Sequence, residues 1–296
     1  MSGAGRAPGM TPVGPGSPGK DGRVELAFAP DGAGGTCWTR RRARAPLAMM
    51  RPLYVDPAAP GTPVAYLMAL GGGLVQGDRT TVEVAVAAGG HAVITTQAAT
   101  RVHRMDAGHA EAATRLRVGP GAVLEHLADP VLAVPGARLV QGLRAEVAAG
   151  GALILVDSLV LTDAGGTRGR APEPPPARVR ARLDVDCAGT PLLRERLRLG
   201  GPAGPVGLGE AGAVGGLTCV GDPPAVAAAV AAMRAVAVPG ARIGVSALAG
   251  GRGAWARVAG VDPARPAEPV GLALRALWAA ARPALLGLPA FDLRKR

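Results

Sequence analysis

Apolar and polar positions alternate with a period of two through much of the middle of this chain. Val82, Val84 and Val86 interleave with Thr81, Glu83 and Ala85, the pattern of a half-buried strand. A turn at Ala88-Gly89-Gly90 and a second apolar run from His91 to Gln97 follow, and propensity reads the pair as a hairpin. A similar unit recurs as Thr114–Val118, Gly119-Pro120-Gly121 and Ala122–Leu127. It recurs again as Leu143–Val147, Ala149-Gly150-Gly151 and Ala152–Leu161. A fainter copy is Val179–Val185, a turn at Ala188-Gly189, and Pro191–Leu199. The first three turns stand roughly thirty residues apart, which suggests stacked hairpin units sharing a continuous core, akin to a β-solenoid or layered sheets. An antiparallel meander also repeats its glycine turns and is the alternative.

Short strands are expected before this region, around Val24–Ala29, Thr36–Arg44 and Val64–Leu70. Two helices are expected after it. Asp222-Pro223-Pro224 supplies an N-cap and early prolines for an Ala-rich run to Val236. After Pro269 an amphipathic pattern turns Leu272, Leu274, Leu277, Trp278 and Ala281 to the core, with Arg275 and Arg282 off that stripe. A strand pair, Arg242–Leu248 and Gly253–Ala259, separates the helices. The fold class is therefore mainly β: stacked hairpin or β-helical-like layers of short strands, with two α-helices in the C-terminal half.

Composition sharpens this picture. The 296 residues are 48% hydrophobic but only 2% aromatic, so Val, Leu and Ala build the core. The 45 Gly and 28 Pro favour many turns over long helices. Residues 1–22, rich in Gly, Pro and Ser without an apolar segment, read as a disordered tail rather than a secretory signal. Residues 23–296 then form one β-rich domain. Cys37, Cys187 and Cys219 are scattered, with no CxxC pair, which argues for a reducing compartment. Arginines interrupt each long apolar stretch, so no membrane span is expected and a cytoplasmic protein is. The net charge of +11, almost all of it Arg, suits nucleic acid, an acidic protein, or nothing in particular. The scarcity of aromatics speaks against base stacking.

Candidate chemistry is sparse. His103, Asp106 and His109 lie within one segment and would converge if it turns at Ala107-Gly108, a donor set suited to Ni or Zn in a metal-dependent hydrolase. Exposed turn residues, or a transient metal contact, fit the same positions. Gly207, Gly209 and Gly212 imitate a dinucleotide motif but follow no strand. No phosphate-binding loop or serine elbow is present. Asp157-Ser158 inside an apolar strand reads as a buried turn-capping pair. The loop Ala164–Pro176 offers Arg168 and Arg170 as contact residues or plain solvated charges. Asp78 closes a glycine turn before a strand, where a carboxylate commonly accepts backbone N–H groups; the alternative is a carboxylate lining a polar passage. Glu125 shares a strand face with Val123 and Leu127, so its charge is partly buried and needs a partner, with Arg101 or Arg104 the natural candidates.

Three segments together resemble one family. They are Gly72-Gly73-Leu74-Val75-Gln76-Gly77-Asp78, Thr95–Arg104, and Gly121-Ala122-Val123-Leu124-Glu125-His126-Leu127-Ala128-Asp129-Pro130. With a final helix carrying Trp278 and Arg282-Pro283, they resemble the UreD (UreH) urease accessory proteins, over roughly 23–290. The chain departs from that pattern at Gln97 and Ala98 (usually Pro-Gly), His126 (usually Trp) and Asp129-Pro130 (usually Gln-Glu). The resemblance implies a β-rich stacked fold and a non-enzymatic scaffold in urease maturation. It implies UreF-like and UreG-like partners, the urease apoprotein as client, no nucleic acid or membrane, and nickel as a transient passenger rather than a bound cofactor. Asp78, Thr95, Thr96, Thr100 and Glu125 are then the expected polar path, Arg101 and Arg104 would orient Glu125 or touch a partner, and His103 and His109 are weak metal contacts. A passage suits loosely held oxygens better than a His/Cys cage, because tight ligation would trap the ion.

Overall fold

The computed structural model describes residues 19–162, 176–200, 212–261 and 265–295. In chain order the first strands are β1 (Asp21–Pro30), β2 (Thr36–Arg44), β3 (Leu47–Met49), β4 (Val64–Ala69), β5 (Arg79–Val86) and β6 (His91–Thr96). Next come β7 (Thr100–Val102), β8 (Ala110–Val118), β9 (Val123–Leu127), β10 (Val131–Ala133), β11 (Arg138–Val147) and β12 (Ala152–Leu161). The chain continues through β13 (Arg178–Cys187), β14 (Thr190–Leu199), β15 (Ala213–Val220) and helix α1 (Pro223–Arg234). It closes with β16 (Ala241–Ala247), β17 (Gly253–Gly260) and helix α2 (Ala267–Leu286).

These strands form two sheets. One has seven strands in the order β14-β13-β11-β8-β5-β1-β2. The other has ten, in the order β16-β17-β15-β12-β9-β6-β4-β3, with β10 paired to β12 and β7 paired to β10. The stacking expected from the repeated units is present, but the two strands of each of the first three units do not pair with each other. β5 pairs in parallel with β1 and β8, while β6 pairs in parallel with β4 and β9. Each glycine turn is therefore a corner between sheets, not a hairpin. Alternating residues of facing strands meet in the middle: Val84, Val86, Leu116, Val118, Leu143, Ala92, Ile94, Leu124 and Leu155 share one buried cluster. Only the fourth, fainter unit is a true hairpin, with β13 and β14 antiparallel.

Corners stack directly on one another. Gly119 N–H donates to the Val86 carbonyl, Ala148 N–H to Val118, and Gly89 N–H to Pro120. A Cβ on Gly119 would lie 2.8 Å from Ala88 N, and one on Gly151 would lie 2.8 Å from Gly119 O. At these two positions the adjacent coil is too close for any side chain, whereas Gly89, Gly121 and Gly150 hold left-handed φ of +73°, +62° and +73°.

Both helices cover the outer face of the ten-stranded sheet. Val226, Ala229, Val230 and Met233 of α1 and Ala273, Leu274, Leu277 and Trp278 of α2 bury there against Leu217, Cys219, Ala256 and Val258. Two details of the helical expectation change. Leu272 is exposed, and Arg282, placed off the apolar stripe by its charge, is wholly buried. Asp222 occupies the N-cap position of α1 but makes no capping hydrogen bond. Its nearest charged neighbour is Arg252, at 3.9 Å. β1 begins at Asp21, just inside the segment read as tail. Residues 1–18 of that tail, Arg168 and Arg170 with most of their loop, and Gly207 and Gly209 lie outside the described residues.

Candidate functional site

The glycine turn before β5 is held by its own aspartate. Asp78 is buried. Its Oδ1 accepts Lys20 N–H at 2.9 Å and its Oδ2 accepts Val75 N–H at 2.9 Å. Leu74 N–H donates to the Arg101 carbonyl and His103 N–H to Leu74, so the turn docks along β7. Gly73 permits this approach: its φ is +127°, and a Cβ there would sit 2.2 Å from Arg101 O.

Glu125 is fully buried, beyond the partial burial expected from period two, because β9 is covered on both faces, and its partner is neither Arg101 nor Arg104. Arg282 of α2 donates from Nε to both carboxylate oxygens, at 3.0 and 3.1 Å. Trp278 Nε1–H donates to Oε2 at 2.8 Å, and His91 Nε2 lies 3.1 Å from Oε1. The same guanidinium reaches the buried Asp56 carboxylate and the Pro289 carbonyl. Its faces meet the rings of Phe291 and Trp278, 4.8 and 5.8 Å from the centroids. Arg101 is exposed. Arg104 faces Asp106 at 3.5 Å. Two segments that carry the family resemblance in sequence thus touch in space, joined by one buried ion pair that fastens α2 to the sheet. Asp56 carries no local signal in the sequence, and Arg282, though part of the final-helix resemblance, carries none of its burial. Asp56 sits in an irregular segment, and Arg282 reads as one more surface arginine.

His103, Asp106 and His109 point to separate partners. His103 Nε2 donates to the Gly72 carbonyl at 2.7 Å, and Asp106 is exposed. His109 Nε2 lies 3.1 Å from Glu111 Oε1, while its Nδ1 is buried without a partner. Among the described residues no group of three or more His, Cys, Asp or Glu is placed to hold a metal ion.

The polar space lies instead between the sheets, in a cavity of about 380 Å3. The seven-stranded sheet contributes Thr80, Thr114 and Gln141, inward-facing at the period of β5, β8 and β11. The ten-stranded sheet contributes Thr96, His126, Asp157 and Ser158. Of the residues expected on a polar path, Thr96, Thr100 and Arg101 line this cavity. Asp78, Thr95, Arg104 and Glu125 do not, and Thr95 spends its hydroxyl on the Leu127 carbonyl at 2.6 Å. Asp157 and Ser158, read as a turn-capping pair, are mid-strand residues of β12 facing open space. Gln141 Oε1, Asp157 Oδ1 and His126 Nδ1 are buried without protein partners, so they are free to bind whatever fills the cavity. Burial raises the Asp157 carboxyl above its ordinary range, opposed in part by Arg257. Burial also pushes the His126 imidazole down to about 4, leaving it neutral and able to accept.

Gln141 and Asp157 also border a small cavity of about 20 Å3, whose far wall holds Arg257 and Glu195, themselves an ion pair. At its other end the large cavity meets a break in the ten-stranded sheet. β9 stops at Leu127 opposite Val156, and β10 resumes at Val131 opposite Leu159. Thr96, Asp129 and Ser158 surround the resulting window. Beyond it, beneath α2, lies a second cavity of about 480 Å3.

Two stacked sheets around an apolar core, with a partly polar cavity between them and two helices over one outer face, define a β-solenoid-like body. A sequence model of the UreD urease accessory protein family matches residues 20–296. Urease accessory protein UreD 2 of Streptomyces griseus is 37% identical over 291 residues, covering 95% of this chain and 96% of that one. The UreD proteins of Haloarcula marismortui and Natronomonas pharaonis are 32% and 31% identical, covering 95% and 92% of this chain and 92% and 90% of their own lengths. The chain belongs to the UreD family of urease accessory proteins. No helix among its described residues is long and apolar enough to cross a membrane.

Proposed function

We propose that this protein is a non-catalytic scaffold of urease maturation in the cytoplasm. It binds the urease apoprotein together with UreF-like and UreG-like partners and conducts nickel through the space between its sheets. Membership of the urease accessory family over residues 20–296 carries this reading. The cavity supports the route. Its oxygen donors are hydroxyls, two side-chain amides and the carboxylates of Asp129 and Asp157 rather than a cage, and hard oxygens spread in this way hold a hydrated divalent ion without trapping it. Asp157 and Gln141, whose oxygens have no protein partner, are the best-placed contacts. Asp78 and Glu125 serve the route indirectly, by fixing the turn and the helix that enclose it.

The test is co-expression with urease and its accessory proteins. Asp157→Ala with Gln141→Leu should lower the nickel content of purified urease several-fold while the accessory complex still co-purifies. Full nickel loading in that variant would remove the cavity from the route. Asp78→Ala or Glu125→Ala should instead deplete the soluble protein itself, measured as recovered full-length chain.

A further inference from the structure

At the window in the ten-stranded sheet the chain already holds a cation of its own. Lys295 Nζ lies 2.9 Å from Asp129 Oδ2, approaching from the outer cavity. The same oxygen accepts the Thr96 hydroxyl at 2.7 Å, and Thr96 Oγ1 accepts Asp129 N–H at 2.8 Å. Ala128, Asp129, Val156 and Ser158 border both cavities, so this ammonium sits at the neck between them. The segment that delivers it is tethered at three points. Arg282 donates to the Pro289 carbonyl, the Phe291 ring meets Trp278 edge-on at 5.6 Å, and Tyr66 O–H donates to the Leu293 carbonyl. Asp129 is also a residue at which this chain departs from the usual family pattern.

We propose that Asp129 and Thr96 form a low-affinity site for a hydrated divalent cation, and that Lys295 occupies it in cis as a removable stopper. A carboxylate with a neighbouring hydroxyl offers hard oxygens to such an ion. A single ammonium competes for the same oxygen. Both partners are only about three-quarters covered, 25% and 23% exposed, and pairs of that kind are weak enough to exchange. Displacing residues 287–295 would expose the site and join the two cavities; their return would expel the ion. The significance of the site as a gate rests on the channel reading above, but its existence does not.

Nickel(II) titrated calorimetrically into the full-length chain tests the site directly. Lys295→Met should bind roughly three- to fivefold more tightly than the parent, the range set by losing a weak ion-pair competitor. The double variant Lys295→Met, Asp129→Asn should lose that gain. In the parent, nickel should also speed hydrogen exchange of the amides at 287–295. Equal affinity of Lys295→Met and the parent, or a gain that persists without the Asp129 carboxylate, overturns the proposal. Because no urease is present, these outcomes are separate from nickel loading: a gain seen beside an Asp157 variant that loads urease fully would keep the site and discard the channel.

Discussion

Arg282 is the residue on which most depends. It sits at 0% exposure between two carboxylates, one on β9 and one in the segment between β3 and β4. Removing one member of such a set strands the others as uncompensated buried charges, so Arg282→Met should cost about 3–5 kcal/mol in denaturant unfolding. Adding Glu125→Gln to it should cost less than the sum of the two single changes, because the Glu125 charge is then no longer stranded and only Asp56 is left uncompensated. His126 gives a separate, pH-dependent signature. Its folded value is depressed to about 4 by burial, against 6.5 for a free imidazole. Above 6.5 both states are neutral and nothing is lost. As pH falls from 6.5 towards 4 only the unfolded chain takes up the proton, so stability drops, by at most about 3 kcal/mol. His126→Gln should flatten that part of the stability–pH curve. At this scale the sequence was half legible. Glu125's burial and need of a partner followed from the alternation on its strand, and Asp78's turn role from its place after glycine. The partner itself, 157 residues away, left no trace in local pattern, because a charged residue on a helix reads as solvated until its neighbours are known.

The strands and turns were largely readable, since a period of two and paired glycines announce them. What they connect was not. A glycine that ends one strand and starts another fits a tight hairpin and a corner between sheets alike; the choice is made by partners about thirty residues before and after. The corner glycines make that choice measurable. Gly151→Ala pushes a methyl to within 2.8 Å of the Gly119 carbonyl, and should destabilise by about 1–3 kcal/mol. Gly142, in the middle of β11, has open space where a Cβ would go and no left-handed φ. Gly142→Ala should therefore be neutral or gain up to about 1 kcal/mol by restricting the unfolded chain. Equal losses at both positions, by chemical unfolding, would mean that the corners do not stack as described. The ends of the stack follow a different rule from its middle. The parallel run is closed by antiparallel strands, β2 and β3 at one end and β14 with β15–β17 at the other, which a repeat-based reading would not anticipate beyond the faintness of the fourth unit.

Over the whole molecule, charge protects what geometry leaves open. Among the described residues β2 is an edge of the seven-stranded sheet, and Arg40, Arg41, Arg42 and Arg44 are all exposed along it. Charged edges resist pairing with a second chain. Arg40→Thr with Arg42→Thr should raise concentration-dependent association, seen as increased light scattering at unchanged melting temperature. Part of the +11 charge thus has a role that needs no anionic partner. The buried clasp of α2 has a further consequence, for synthesis. Asp56 and Glu125 leave the ribosome long before Arg282 is made, and neither can settle in the interior as an anion without it. A message terminated before the Arg282 codon should yield a polypeptide whose pleated stack stays ajar and proteolytically vulnerable.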